Sequence, residues 1–133
     1  MSAQEELLQL SKQLLDSIDQ QDWQTYTNLC DENLTAFEPE AVGSLVEGMP
    51  FHQFYFEMEG TGRAKQSTIS SPKVQLLDES TAIVTYIRLT QRIGEDGRPS
   101  TSAFEETRIW HRQADKWQHV HFHRSNAGSI RLG

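Results

Sequence analysis

The hydrophobic period of this chain changes once, from 3.6 residues to 2, and that change constrains the fold more than any other feature. Before it, Leu7, Leu10, Leu14, Leu15 and Ile18 recur mostly at three- and four-residue steps, which predicts an amphipathic helix over 3–20. Ser2, with Glu5 three residues on, has the form of a capping box for that helix. Asp22 is placed to cap a second, shorter helix with Trp23, Tyr26, Leu29 and Cys30 on one side. A short strand over 34–37 is ended by Glu38-Pro39-Glu40, and residues 43–48 form a turn-like connection. Pro50 opens a third helix over 51–58, and the polar, glycine-containing stretch 60–67 reads as a loop. After it, apolar and polar residues alternate, predicting strands over 73–77, 81–92, 101–113 and 116–125. Gly94 to Pro99 and Ala114-Asp115 supply turns between them, and the tail 126–133 has no clear period.

Helices gathered first and a meander of long strands afterwards describe an α+β domain. Helices on one face of a strongly curved antiparallel sheet enclose a cone-shaped cavity, a favoured place for a small-molecule site. The 133 residues make one domain, 1–133, with its core over about 3–125. A net charge of −7 counts against a nucleic-acid binder, which needs a basic face for phosphates. No apolar stretch is long enough to span a bilayer, and the N-terminus lacks the features of a secretory signal. The single cysteine, Cys30, cannot form an internal disulfide, so a reducing, cytoplasmic setting is expected.

Arginine placement carries the most chemistry. Arg88 lies mid-strand on the side of Val84 and Tyr86, Arg108 on the side of Phe104, Glu106 and Trp110, and Arg124 on the side of Val120 and Phe122. Guanidiniums on the inner face of a sheet need partners. They imply either internal carboxylates, with Glu106 the obvious one, or an anionic ligand. If a pocket exists, Tyr26 and His52 on the overlying helices line it. His119, His121 and His123 alternate along the last strand, so all three are expected on the face opposite Arg124, outward or in an interface. Three histidines are a reasonable zinc set, but that outward placement leaves no metal site expected. Cys30 reads as a small core filler. No nucleophile elbow is present, the Gly60-Thr61-Gly62 stretch lacks the third glycine of a phosphate loop, and no acid or base is singled out by spacing. No catalytic residue and no cofactor are expected.

Several motifs together resemble a known family. Thr35-Ala36-Phe37-Glu38-Pro39-Glu40-Ala41, Leu45-Val46-Glu47-Gly48, Phe51-His52, Glu105-Glu106-Thr107-Arg108-Ile109-Trp110 and Val120-His121-Phe122-His123-Arg124-Ser125 closely resemble the association (hub) domain of calcium/calmodulin-dependent protein kinase II. The resemblance implies a nuclear transport factor 2-like (cystatin-like) fold, with a highly curved sheet wrapped around a long N-terminal helix. It also implies homo-oligomers in which dimers stack into a ring. It implies a cavity for a small carboxylate lined by Arg88, Arg108 and Arg124, with Tyr26 and His52 beside them. The chain carries no kinase nucleotide loop, His-Arg-Asp loop or Asp-Phe-Gly motif, so the expectation is a free-standing, non-enzymatic hub, with a kinase in trans as a further partner. The alternative is a small enzyme of isomerase, dehydratase or cyclase type using the same cavity.

Overall fold

The computed structural model describes residues 1–128, and positions 129–133 of the expected tail lie outside them. Helix α1 (Ala3–Asp19) begins at the expected cap, where Ser2 Oγ accepts from the Glu5 amide at 3.1 Å. Leu7, Leu14 and Leu15 are fully buried, with Leu10 and Ile18 partly so. Asp22 caps α2 (Trp23–Leu29) through the Thr25 amide. The chain then turns extended at Cys30, so Cys30 opens β1 (Cys30–Phe37) and does not end the helix. A 3-10 turn (Pro39–Ala41), a two-residue strand β2 (Val46–Glu47) and α3 (Pro50–Phe56) follow, with Pro50 in the first turn of α3 as expected.

Four long strands complete the fold: β3 (Lys65–Leu76), β4 (Thr81–Ile93), β5 (Pro99–Gln113) and β6 (Lys116–Asn126). β3 starts inside the stretch expected as a loop. Its early residues are polar and gave no hydrophobic signal, but they pair with β4 from Lys65 opposite Arg92 onward. Pro72 is tolerated because β3 is the sheet edge and the register shifts there, with Ser71 at φ 53°.

The six strands form one sheet in the order β2-β1-β6-β5-β4-β3. Its neighbours are antiparallel except β1 and β6, which run parallel, with Thr35 opposite His121. The expected antiparallel meander is present as β3 to β6, and the short strand β1 joins it in parallel at β6. A parallel pair needs a long crossover, and β2, α3 and β3 to β5 supply it. Strict alternation on β4 turns Ala82, Val84, Tyr86, Arg88 and Thr90 inward, and β5 turns Glu106, Arg108 and Trp110 inward.

β6 departs from strict alternation. The register steps from Ile109 opposite His121 to Trp110 opposite His119, leaving Val120 as the extra residue of a β-bulge. The bulge exchanges the two faces of the strand. Trp117 and His119 are buried on one side of it and Phe122 on the other. The expectation that His119, His121 and His123 share a face is therefore wrong for His119, which is fully buried, and Val120 does not share the inner face of Phe122 and Arg124. His121 and His123 do flank Phe37, their rings 6.1 and 5.7 Å from its own.

Candidate functional site

A cavity of about 810 Å³ lies between the helices and the sheet. Arg88 from β4, Arg108 from β5, Arg124 from β6, Tyr26 from α2 and His52 from α3 all line it, so five of the six residues expected at the site meet there. The sixth, Glu106, stands behind the wall and binds two of the arginines.

Arg88 and Arg108 are committed to internal partners. Arg88 donates from Nε to Ser67 Oγ at 2.9 Å, from one terminal nitrogen to Asp19 at 2.9 Å, and from the other to Glu106 at 3.5 Å. Arg108 donates to the Tyr86 hydroxyl at 2.7 Å and to Glu106 at 2.9 Å, and lies 3.3 Å from His119 Nε2. Tyr86 in turn donates to Glu106 at 2.7 Å. Burial disfavours the charge on Glu106, but Arg108 and Arg88 outweigh it and hold its carboxyl below the ordinary range. For these two arginines the internal-carboxylate alternative is the one realised.

Arg124 is less engaged. One terminal nitrogen meets Glu40, the guanidinium stacks 5.1 Å from the Phe104 ring, and Nε is buried with no partner. His52 is buried among Tyr26, Phe51 and Phe122, and its Nε2 also lacks a partner. Burial, then the Arg108 and Arg124 charges, lower its pKa to about 4, so the ring is neutral near pH 7. Glu38 Oε1 sits 3.9 Å from His52 Nδ1, beyond hydrogen-bond distance. Its side chain is only 8% exposed, and desolvation raises its pKa to about 7 against the pull of Arg124.

Glu38, Glu40 and Asp19 were not singled out from the sequence. A signal existed for Glu38: Leu34 and Ala36 are both fully buried, and the same alternation carried two residues further turns Glu38 inward. Nothing comparable marks Asp19 or Glu40, whose roles depend on where a helix end and a 3-10 turn meet the sheet. Cys30 lies 3.5 Å from His119 Nδ1, and burial pushes its thiol up to about 12, which leaves it an inert core group. Among the described residues, no group of three or more His, Cys, Asp or Glu side chains could hold a metal ion.

Comparison with known proteins gives this architecture its relatives. A family model for the calcium/calmodulin dependent protein kinase II association domain matches residues 3–128. The delta subunit of calcium/calmodulin-dependent protein kinase type II from Oryctolagus cuniculus is 47% identical over 128 residues, which is 95% of this chain and 24% of that protein. The kinase II hub homology domain of Chlamydomonas reinhardtii superposes with a TM-score of 0.91 at 41% identity, covering 96% of this chain and 100% of that one. A nuclear transport factor 2-like superfamily protein from Salmonella enterica superposes at 0.78 with 17% identity, over 98% of this chain and 94% of its own, and shows the shared fold alone. The expected nuclear transport factor 2-like fold is therefore present. Because the matched residues run from the first helix through the last strand and include every wall of the cavity, this chain belongs to the calcium/calmodulin-dependent protein kinase II association domain family.

Proposed function

We propose that this chain is a non-catalytic, homo-oligomeric hub, in which copies associate as dimers stacked into a ring and serve to gather other proteins. The observation that carries the reading is the match of residues 3–128 to an association domain. The outer surface is consistent with it. Phe37 is 45% exposed on the outer face of β1, and Phe54 on α3 is 63% exposed, large apolar groups of the kind that copy-to-copy contacts cover. The chain spans 24% of the length of the rabbit kinase subunit it matches, and a kinase recruited in trans is proposed as a partner. A cytoplasmic setting belongs to it as well; no helix among the described residues is long and apolar enough to cross a membrane.

The same reading gives the cavity a small carboxylate or similar anion as its occupant. What supports this is the pair of buried, unpartnered nitrogens on its wall, Arg124 Nε and His52 Nε2. The decisive experiment is the absolute mass in solution by light scattering behind a sizing column. A mass many times 15.2 kDa is expected, and a plain dimer or a monomer would overturn the hub reading.

A further inference from the structure

The sheet has a second face, turned away from the cavity and the helices. Between the buried inner residues of β4 and β5 stand Ile83, Ile87, Leu89 and Ile109, which point outward and stay part-exposed. Register lines them up with β6 and β1. Ile83 lies opposite Ile109, Ile109 opposite His121, and His121 opposite Thr35. In the next row Thr85 lies opposite Thr107, Thr107 opposite His123, and His123 opposite Phe37. Two imidazoles are thus set into an apolar field between Ile109 and the half-exposed Phe37. Thr35 Oγ1 lies 2.8 Å from His121 Nδ1, and it serves either charge state, since a hydroxyl donates to a neutral ring and accepts from a protonated one. The charged groups on this face are Glu105, one row from His123, His111 beyond Ile109, Glu47 on β2 and Lys73 on β3. Among the described residues neither ring forms an ion pair. A positive charge on either ring is therefore kept by water.

We propose that this face is where two copies of the chain meet, and that protonation of His121 and His123 drives them apart. The proposal rests on the hub reading above and adds to it a surface and a pH switch. A second copy is the occupant because the chain belongs to an association-domain family and because the face is complementary to itself. A two-fold axis between β5 and β6 lays β6 of one copy over β5 of the other and β1 over β4. The same operation brings Glu47, near one edge of the sheet, toward Lys73 near the other. His121 and His123 then lie against Ile109 and Thr107 of the second copy, out of reach of water. A charged imidazole covered in this way loses its hydration, so the contact accepts the rings only when neutral. Burial within one copy already acts on His121 in that direction. Each covered ring weakens association by up to about tenfold per pH unit once the free rings are charged, and imidazole charges near pH 6.5. Glu105 pulls the other way on its neighbour His123, which makes His121 the stronger of the two switches.

Sedimentation velocity of the full chain at pH 7.5, 6.5 and 5.5, with tryptophan emission read in the same samples, tests this. Trp110 and Trp117 are buried, so an unshifted emission maximum shows copies that separate while folded. The sedimentation coefficient should fall between pH 6.5 and 5.5 and recover at 7.5, with the dissociation constant rising at least about tenfold over that unit. With His121→Asn and His123→Asn together, the coefficient at pH 5.5 should equal that at 7.5, and His121→Asn alone should remove the larger part of the response. His121→Lys, charged at every pH used, should be folded and dissociated at pH 7.5. The proposal is overturned by a pH-independent assembly in the unsubstituted chain, by an Asn pair that still comes apart, or by a His121→Lys variant that assembles. Separation accompanied by a red-shifted emission is unfolding and overturns it as well. A monomer at pH 7.5 takes the hub reading down with the switch, whereas a large assembly indifferent to pH removes the switch alone.

Discussion

Glu106 holds two guanidiniums and one tyrosine hydroxyl at full burial, so its loss leaves charges with nowhere to go. Removing one partner of a buried ion pair costs about 3–5 kcal/mol, because the remaining charge has lost its solvent and its counter-ion together. Glu106→Gln keeps the shape and removes the charge. It should lower unfolding free energy in urea by about 3–5 kcal/mol without any ligand present. A loss below about 1 kcal/mol would mean that Asp19 and His119 suffice to hold the arginines. At this scale the sequence was readable where a residue keeps step with its strand. Arg88, Arg108 and Glu106 face inward as the period-two count requires, and Glu106 was named as their partner from that count. Asp19 was unreadable as a partner of Arg88, since a sequence separation of 69 residues leaves no local trace.

Elements add information that residues lack. The turn between β5 and β6 places Ala114 at φ 49° and Asp115 at φ 64°, the two positive values of a tight hairpin turn. Asparagine and glycine take such values easily; alanine does not. Ala114→Gly should therefore raise stability by about 0.5–1 kcal/mol, measured by urea unfolding, and a loss of stability would mean the turn adopts another form. The turn was legible from two polar or small residues between alternating strands. The bulge two turns of alternation later was not, because Val120 is an ordinary strand residue and only the β5 partner reveals that it is extra. That one unpaired residue moves His119 from the outside to a place beside Arg108 and Cys30, and it misled the reading of His119 while His121 and His123 stayed on the outer face beside Phe37. The first half of β3 was missed for a related reason. Its inner position Ser67 is polar because it receives Arg88, so the start of a strand looked like a loop.

For the whole molecule, stability should depend on pH through groups that burial has displaced in opposite directions. His52 and His119 are held below the ordinary histidine value, chiefly by burial, so below about pH 6.5 the unfolded chain takes up protons that the folded chain refuses. Glu38 acts the other way between its unfolded value of 4.5 and about 7, where the folded chain holds the extra proton. His121 is lowered by burial as well, so three histidines stand against one glutamate and leave a net excess of about one to two protons on the unfolded chain. Unfolding free energy should thus fall by about 1–3 kcal/mol per pH unit on acidification from 6.5 to 5, the slope steepening toward the acid end as the unfolded histidines fill. Urea titrations at those two pH values check it, and a stability that rises on acidification would contradict neutral burial of the histidines. The parallel pairing of β1 with β6 has a consequence in time. Cys30 waits for His119, 89 residues later in the chain, and β6 then sits between β1 and β5 as an interior strand of the sheet. During synthesis, the nascent chain cannot close its sheet until its last strand has left the ribosome. A chain cut short before β6 has an open seam on both β1 and β5, and copies built on such a seam would have no finished surface to offer one another.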